Sequence, residues 1–156
     1  MELTVNNALL KGIEAHKAGR IQEADQMYTA ILKVQPNHPD ANHNMGVLAV
    51  GLGKVEESLP FFKKAIESNQ SIVQFWLSYL DALIKLDKFV DANEELKKLN
   101  EIGLKSEKID ALRFQLDSIN IKQSLVNVVK EFYHNITSRI LSDAAWGWLF
   151  AYSFDN

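Results

Sequence analysis

The chain of 156 residues contains no cysteine. A disulfide framework, a thiolate metal site and a cysteine nucleophile are therefore excluded, and a reducing, cytoplasmic setting is expected. Three prolines are too few for long disordered linkers. No run approaches the ~18 uninterrupted apolar residues that a membrane helix requires, so no membrane partner is expected. The first ten residues, MELTVNNALL, lack the basic start of a secretory signal. A formal net charge of −3 provides no positive footprint for nucleic acid. The glycine-rich phosphate loops, the G-x-S-x-G elbow and the H-E-x-x-H pair are all missing from the sequence, so neither enzymatic activity nor a cofactor is expected. What remains is a chain 47% hydrophobic and 24% charged, ordinary values for one soluble domain.

That ordinary composition is arranged with a period of 34 residues. Gly19 recurs as Gly53 and Asp87, Ala24 as Ser58 and Ala92, Tyr28 as Phe62 and Leu96, and Gly12 as Gly46 and Leu80. A repeat of this length is one helical hairpin that cannot cover its own apolar face, so neighbours must stack. The blocks are about 5–38, 39–72 and 73–106. Each holds two apolar stripes at helical spacing with a break between them at Gly19, Gly53 or Asp87. The segment Pro36-Asn37-His38-Pro39 ends one block and begins the next. Helices are expected over 3–17, 21–34, 39–51, 55–68, 73–85 and 89–101. Pro60 is placed near a first turn, where a missing N–H matters little, and Gly103 is a candidate helix cap.

These offsets resemble the tetratricopeptide repeat family. The residues that carry the likeness are A-L-L-K-G-I-E-A (8–15) with G-R-I-Q-E-A-D-Q-M-Y (19–28) and Pro36. N-H-N-M-G-V-L-A (42–49) with G-K-V-E-E-S-L-P-F-F (53–62) forms the second set, and W-L-S-Y-L-D-A-L (76–83) with D-K-F-V-D-A-N-E-E-L (87–96) the third. Lys11, Gln70 and Leu104 depart from the family's pattern. The resemblance implies an all-α, right-handed superhelical solenoid of antiparallel helix pairs. It implies a non-catalytic scaffold that holds a peptide or protein segment in a concave groove. The alternative is a recognition or targeting module of a larger enzyme, such as a glycosyl- or sulfotransferase.

Beyond residue 106 the register fails while helical periodicity continues. Residues 107–142 are expected to form a degenerate cap of two helices, 107–120 and 123–142, and residues 143–156 an apolar tail. In that tail Trp146, Trp148, Phe150, Tyr152 and Phe154 alternate with a strand-like period of two, and the chain's abrupt end suggests a piece of something longer. The tail is expected to bury against protein, sealing the last helix pair or joining two copies as a homodimer.

The histidines and aspartates are read as structural. His38 and His43 flank Asp40 but leave a metal short of ligands, so a solvated turn and an exposed histidine are expected. Asp81, Asp87 and Asp91 have Lys85 and Lys88 beside them and suit ion pairs better than acid–base chemistry. In a stacked array the first helix of each pair lines the groove. Its stations are Asn6, Leu9, Ile13 and His16 in the first block and His43, Val47 and Val50 in the second. Gln74, Leu77, Asp81 and Ile84 supply the third, and together they make an apolar strip suited to a ligand. One subclass of the resembled family grips the carboxylate end of chaperone peptides with lysines, an arginine and asparagines. The matching stations here are Leu9, Ile13, Asn44, Gln74 and Ser78; only Asn44 agrees, so that specificity is not expected.

Overall fold

The computed structural model describes the backbone of residues 4–153 and the side chains of residues 4–140. Among the described residues there are seven α-helices and no strand: α1 (Val5–Lys17), α2 (Ile21–Val34), α3 (Pro39–Gly51), α4 (Val55–Ser68), α5 (Val73–Lys85), α6 (Phe89–Ile102) and α7 (Glu107–Ser153). The first six agree with the expected segments to within two residues at any end. Residues 1–113 form one unit and residues 114–156 a second.

The turn inside each pair is one device used three times. Gly19, Gly53 and Asp87 are left-handed, with φ of 73°, 76° and 55°. The amide one residue later reaches back over the helix end: Arg20 N donates to Ala15 O at 2.8 Å, Lys54 N to Ala49 O at 2.9 Å and Lys88 N to Leu83 O at 2.9 Å. This bond satisfies a carbonyl that the helix end would otherwise orphan. Glycine takes the left-handed conformation without cost, and aspartate is among the few other residues that tolerate it. Helix starts are capped by Thr4, whose hydroxyl accepts from Asn7 N at 3.3 Å, and by Ser106, whose hydroxyl accepts from Ile109 N at 3.2 Å.

Inside the pairs, small residues admit large ones. A Cβ on Gly12 would lie 2.6 Å from Tyr28 Cε1, and one on Gly46 would lie 2.6 Å from Phe62 Cε1. Each ring therefore rests on helix backbone, and α1 approaches α2, and α3 approaches α4, at glycine. In the third pair the same stations are Leu80 and Leu96, both buried. A medium pair there replaces a small-plus-large pair, so the volume is redistributed and not lost. Tyr28 also meets Ala15, Ala24, Met45 and Leu48 in a cluster that joins the first pair to the second.

Tyr28 differs from Phe62 by a hydroxyl that is buried without a hydrogen-bond partner, and burial pushes its pKa up. An orphaned buried hydroxyl costs about 1–3 kcal/mol. Tyr28→Phe is expected to raise stability by about 1 kcal/mol, read as a higher denaturant midpoint with an unchanged slope.

A second shared station joins successive pairs. Asn42 and Trp76 are 34 residues apart, and both are buried. Asn42 Nδ2 donates to Pro36 O at 2.9 Å, and Trp76 Nε1 donates to Gln70 O at 2.9 Å. Pro36 and Gln70 are themselves 34 residues apart. The loop is thus held by a backbone carbonyl, which proline and glutamine offer equally. The departure from proline at Gln70 leaves this contact intact.

Two expectations are corrected. Pro60 is the sixth residue of α4 and not in its first turn. Its missing N–H removes a bond to the carbonyl of Glu56, and the helix continues because packing of Phe62, Ala65 and Ile66 holds it. The two helices expected at 107–120 and 123–142 are one helix, α7, of 47 residues. No proline or glycine lies between Gly103 and Gly147, so nothing in Asn120-Ile121-Lys122 breaks the ladder. The backbone of residues 143–153 continues that helix, so the period of two does not mark a strand. The self-association expected of Trp146, Trp148, Phe150, Tyr152 and Phe154 rests on side chains outside the described residues.

Candidate functional site: the row of first helices

Within residues 1–113, α1 lies directly beside α3 and α3 beside α5, while α2 and α4 do not approach each other. The first helices are therefore closer together than the second helices. Spacing that is tighter along one side curves the stack toward that side, so α1, α3 and α5 form its concave face.

Each expected groove residue lies on this row. Leu9, Ile13, His16, His43, Val47, Val50, Leu77 and Ile84 are half-buried, whereas Asn6, Gln74 and Asp81 are exposed. Half-burial has a simple origin: one side of each residue packs on the core and the other faces out. Leu9 and Ile13, for example, rest against the cluster containing Ala15, Tyr28 and Met45. Asp81 is paired with Lys85 at 2.7 Å, an exposed ion pair of small energetic weight. A cavity of about 210 Å³ opens between α1 and α3, lined by Ile13, His16, Lys17, Tyr28 and Asn44. His16 meets the Tyr28 ring edge-on at 6.4 Å.

His43 is the polar centre of the row. Its ring lies 4.9 Å from that of Phe75 and 5.8 Å from that of Phe62. Its Nε2 is 2.9 Å from Ser78 Oγ, which also accepts from Gln74 Nε2 at 3.3 Å. The order that uses all three groups runs from the Gln74 amide to the Ser78 hydroxyl to a neutral imidazole. Burial pushes the His43 pKa down, with the Asp40 carboxylate pulling weakly the other way. The expectation of an exposed histidine is thus corrected. His43 is half-buried because aromatic rings from α4 and α5 close over it, a contact between residues far apart in sequence. His38, expected in a solvated turn, caps α3: its Nδ1 accepts from Ala41 N at 3.3 Å. Lys17 is not among the expected groove residues, and Ser78 enters the sequence reading only as a station of the carboxylate-gripping subclass. The spacing of four between Gln74 and Ser78 is the signal for their contact.

The lowered pKa gives a pH dependence with a definite sign. The unfolded chain binds a proton at His43 near the ordinary value of about 6.5, and the folded chain resists it. Stability is therefore full above about pH 6.5 and falls as pH is lowered from there through the folded-state pKa. Melting curves between pH 7.5 and 5 are expected to show this loss, and His43→Gln is expected to reduce it; an equal loss in the variant would assign the effect elsewhere.

Among the described residues, no three His, Asp or Glu side chains converge on a point where they could hold a metal.

The second helix pair, residues 39–72, matches the tetratricopeptide repeat model. The fold resembles several solved structures. A tetratricopeptide repeat protein from Parabacteroides merdae superposes with a TM-score of 0.69 at 20% identity, over 77% of this chain and 47% of that one. The chain thus spans about half of that protein. The TPR2B domain of yeast Sti1, solved in a complex with pHsp70, gives 0.64 at 23% identity, over 75% of this chain and 98% of that one. The first TPR domain of human RPAP3 gives 0.67 at 17% identity, over 78% and 96%. No curated protein matches the sequence. With one repeat matched and its left-handed turn reproduced in the pairs on either side, residues 39–72 form a tetratricopeptide repeat and residues 1–113 have the fold of a tetratricopeptide repeat solenoid.

Proposed function

We propose that this chain is a non-catalytic scaffold that holds a peptide or protein segment along α1, α3 and α5. The observation that carries the proposal is the row of half-buried apolar side chains on three adjoining first helices. Isolated exposed apolar residues are normal on a protein surface, but a contiguous strip rimmed by polar groups marks an interaction site. The ligand suited to this row presents apolar side chains to Leu9, Ile13, Val47 and Leu77, with polar groups near Asn6, Gln74 and Asp81. The Sti1 domain of the same fold, solved in complex with pHsp70, supports the general mode of use. It does not transfer the ligand, because a likeness at 23% identity shows the fold alone. Among the described residues no helix is long and apolar enough to cross a membrane.

The test begins with a peptide selected on the intact chain from a display library. Val47→Asp and Leu77→Asp are each expected to weaken its binding at least about tenfold, the factor that about 1.4 kcal/mol represents. Val90→Asp, on α6 where the side chain is 73% exposed, is expected to leave it unchanged. Leu9 is avoided because it also packs on the core. Undiminished binding in both groove variants would place the site elsewhere.

A further inference from the structure

We infer that residues 114–132 of α7 form a homotypic interface in which two copies pair as parallel helices. This goes beyond groove binding and uses other residues. Phe114, Ile121 and Val128 recur every seven residues, and so do Leu125 and Phe132, set four residues after Ile121 and Val128. At 100° per residue these five side chains fall within about 60° of one another on the helix surface. All five are exposed, Phe114 to 76% and Phe132 to 62%. Val129, Ile136 and Ile140 widen the stripe on one edge, whereas the opposite side carries Asn120, Gln123, Asn127 and His134. A seven-residue apolar repeat with this alternation is the seam of a left-handed helix pair.

Two features point to a second copy as the occupant. The first is area. Among the described residues, Phe114, Ile121, Leu125, Val128, Val129 and Phe132 stand in water along the seam. At roughly 25 cal/mol per Å² and ~1.5–3 kcal/mol per fully buried side chain, covering their exposed parts removes on the order of 300 Å² per copy, less than the ~800 Å² per partner of a standard interface and suited to a weak, concentration-dependent pair. The second is charge. Asp117 lies on one edge of the seam and Lys122 on the other. They are five residues apart, the step across the seam that brings a g position of one parallel helix to the following e position of its partner. Two copies in register therefore place each Asp117 beside the partner's Lys122, twice over. An antiparallel pair sets like edges together and makes neither contact. The seam ends where the next heptad positions are Asn135 and Arg139.

Light scattering of the intact chain from micromolar to millimolar concentration tests the pairing. The expected result is a twofold rise in mass, lost in Leu125→Asp/Phe132→Asp. Both side chains face solvent, so the circular dichroism melt of the repeats should be retained in that variant. Because the chain has no cysteine, Ile121→Cys adds a single reporter. Parallel helices in register bring its two copies within disulfide reach, whereas antiparallel helices centred on the stripe hold them apart. Covalent dimer on mild oxidation is expected. A monomer at all concentrations overturns the proposal, as does a dimer that survives the double substitution or fails to cross-link at Ile121→Cys. A monomer that instead sediments with phosphatidylcholine vesicles overturns it too and assigns the stripe to a lipid surface.

Discussion

Gly46→Ala is expected to destabilise the protein by about 2 kcal/mol, although glycine to alanine inside a helix normally gains about 1 kcal/mol. The reason is contact. The new methyl would stand 2.6 and 2.7 Å from two ring carbons of Phe62, which is itself 1% exposed and has nowhere to move. Overpacking of this kind shifts backbone or forces poor rotamers, at about 1–3 kcal/mol. A melting temperature lower by about 4–8 °C is the corresponding readout. The third pair suggests its own remedy, since Leu80 and Leu96 occupy these stations there. Phe62→Leu alone is expected to lose about 1–2 kcal/mol through the space it leaves. Combined with Gly46→Ala it should recover most of the loss, giving a coupling of at least about 1 kcal/mol in a double-mutant cycle. Additive losses would mean that the ring and the glycine do not share one space.

Trp76→Ala is expected to be more damaging, about 3–5 kcal/mol, because it empties a large buried volume and orphans a carbonyl. Trp76 is 2% exposed, and its indole N–H holds Gln70 O at 2.9 Å. Trp76→Phe separates the two terms: most of the apolar contact remains while the hydrogen bond is lost, for an expected cost of about 1–2 kcal/mol. In a stack of repeats, stability is a sum of local units and their interfaces, so the damage should be uneven. Amide exchange is expected to accelerate in α5 and α6 well before α1 and α2 in the alanine variant. Uniform acceleration would show that residues 1–113 open as a single cooperative block.

Much of the fold was legible because it is local and recurs. A left-handed turn requires glycine or a tolerant substitute at one position, and Gly19, Gly53 and Asp87 mark it at equal intervals. Helix ends follow from such signals within a few residues of chain, and the groove stations follow from helical spacing once the pairs are stacked. The stations lie on α1, α3 and α5, which adjoin one another, and their use as a groove is the proposal made above.

Other features depended on residues distant in sequence. His43 is expected on an exposed helix face, whereas the rings that cover it, Phe62 and Phe75, arrive from α4 and α5. The shared role of Asn42 and Trp76 was hidden because an amide and an indole look unrelated until both are seen donating to the same carbonyl station. The break between two C-terminal helices was expected from failure of the 34-residue register, but register describes packing between repeats, whereas helix continuity is a property of the backbone. The amino-acid sequence by itself determined the period, the turns and the helices, since each is decided by conformational preference over a few residues. Tertiary structure alone decided which polar groups are buried and which ring rests on which glycine, since these are settled by what the rest of the chain brings alongside.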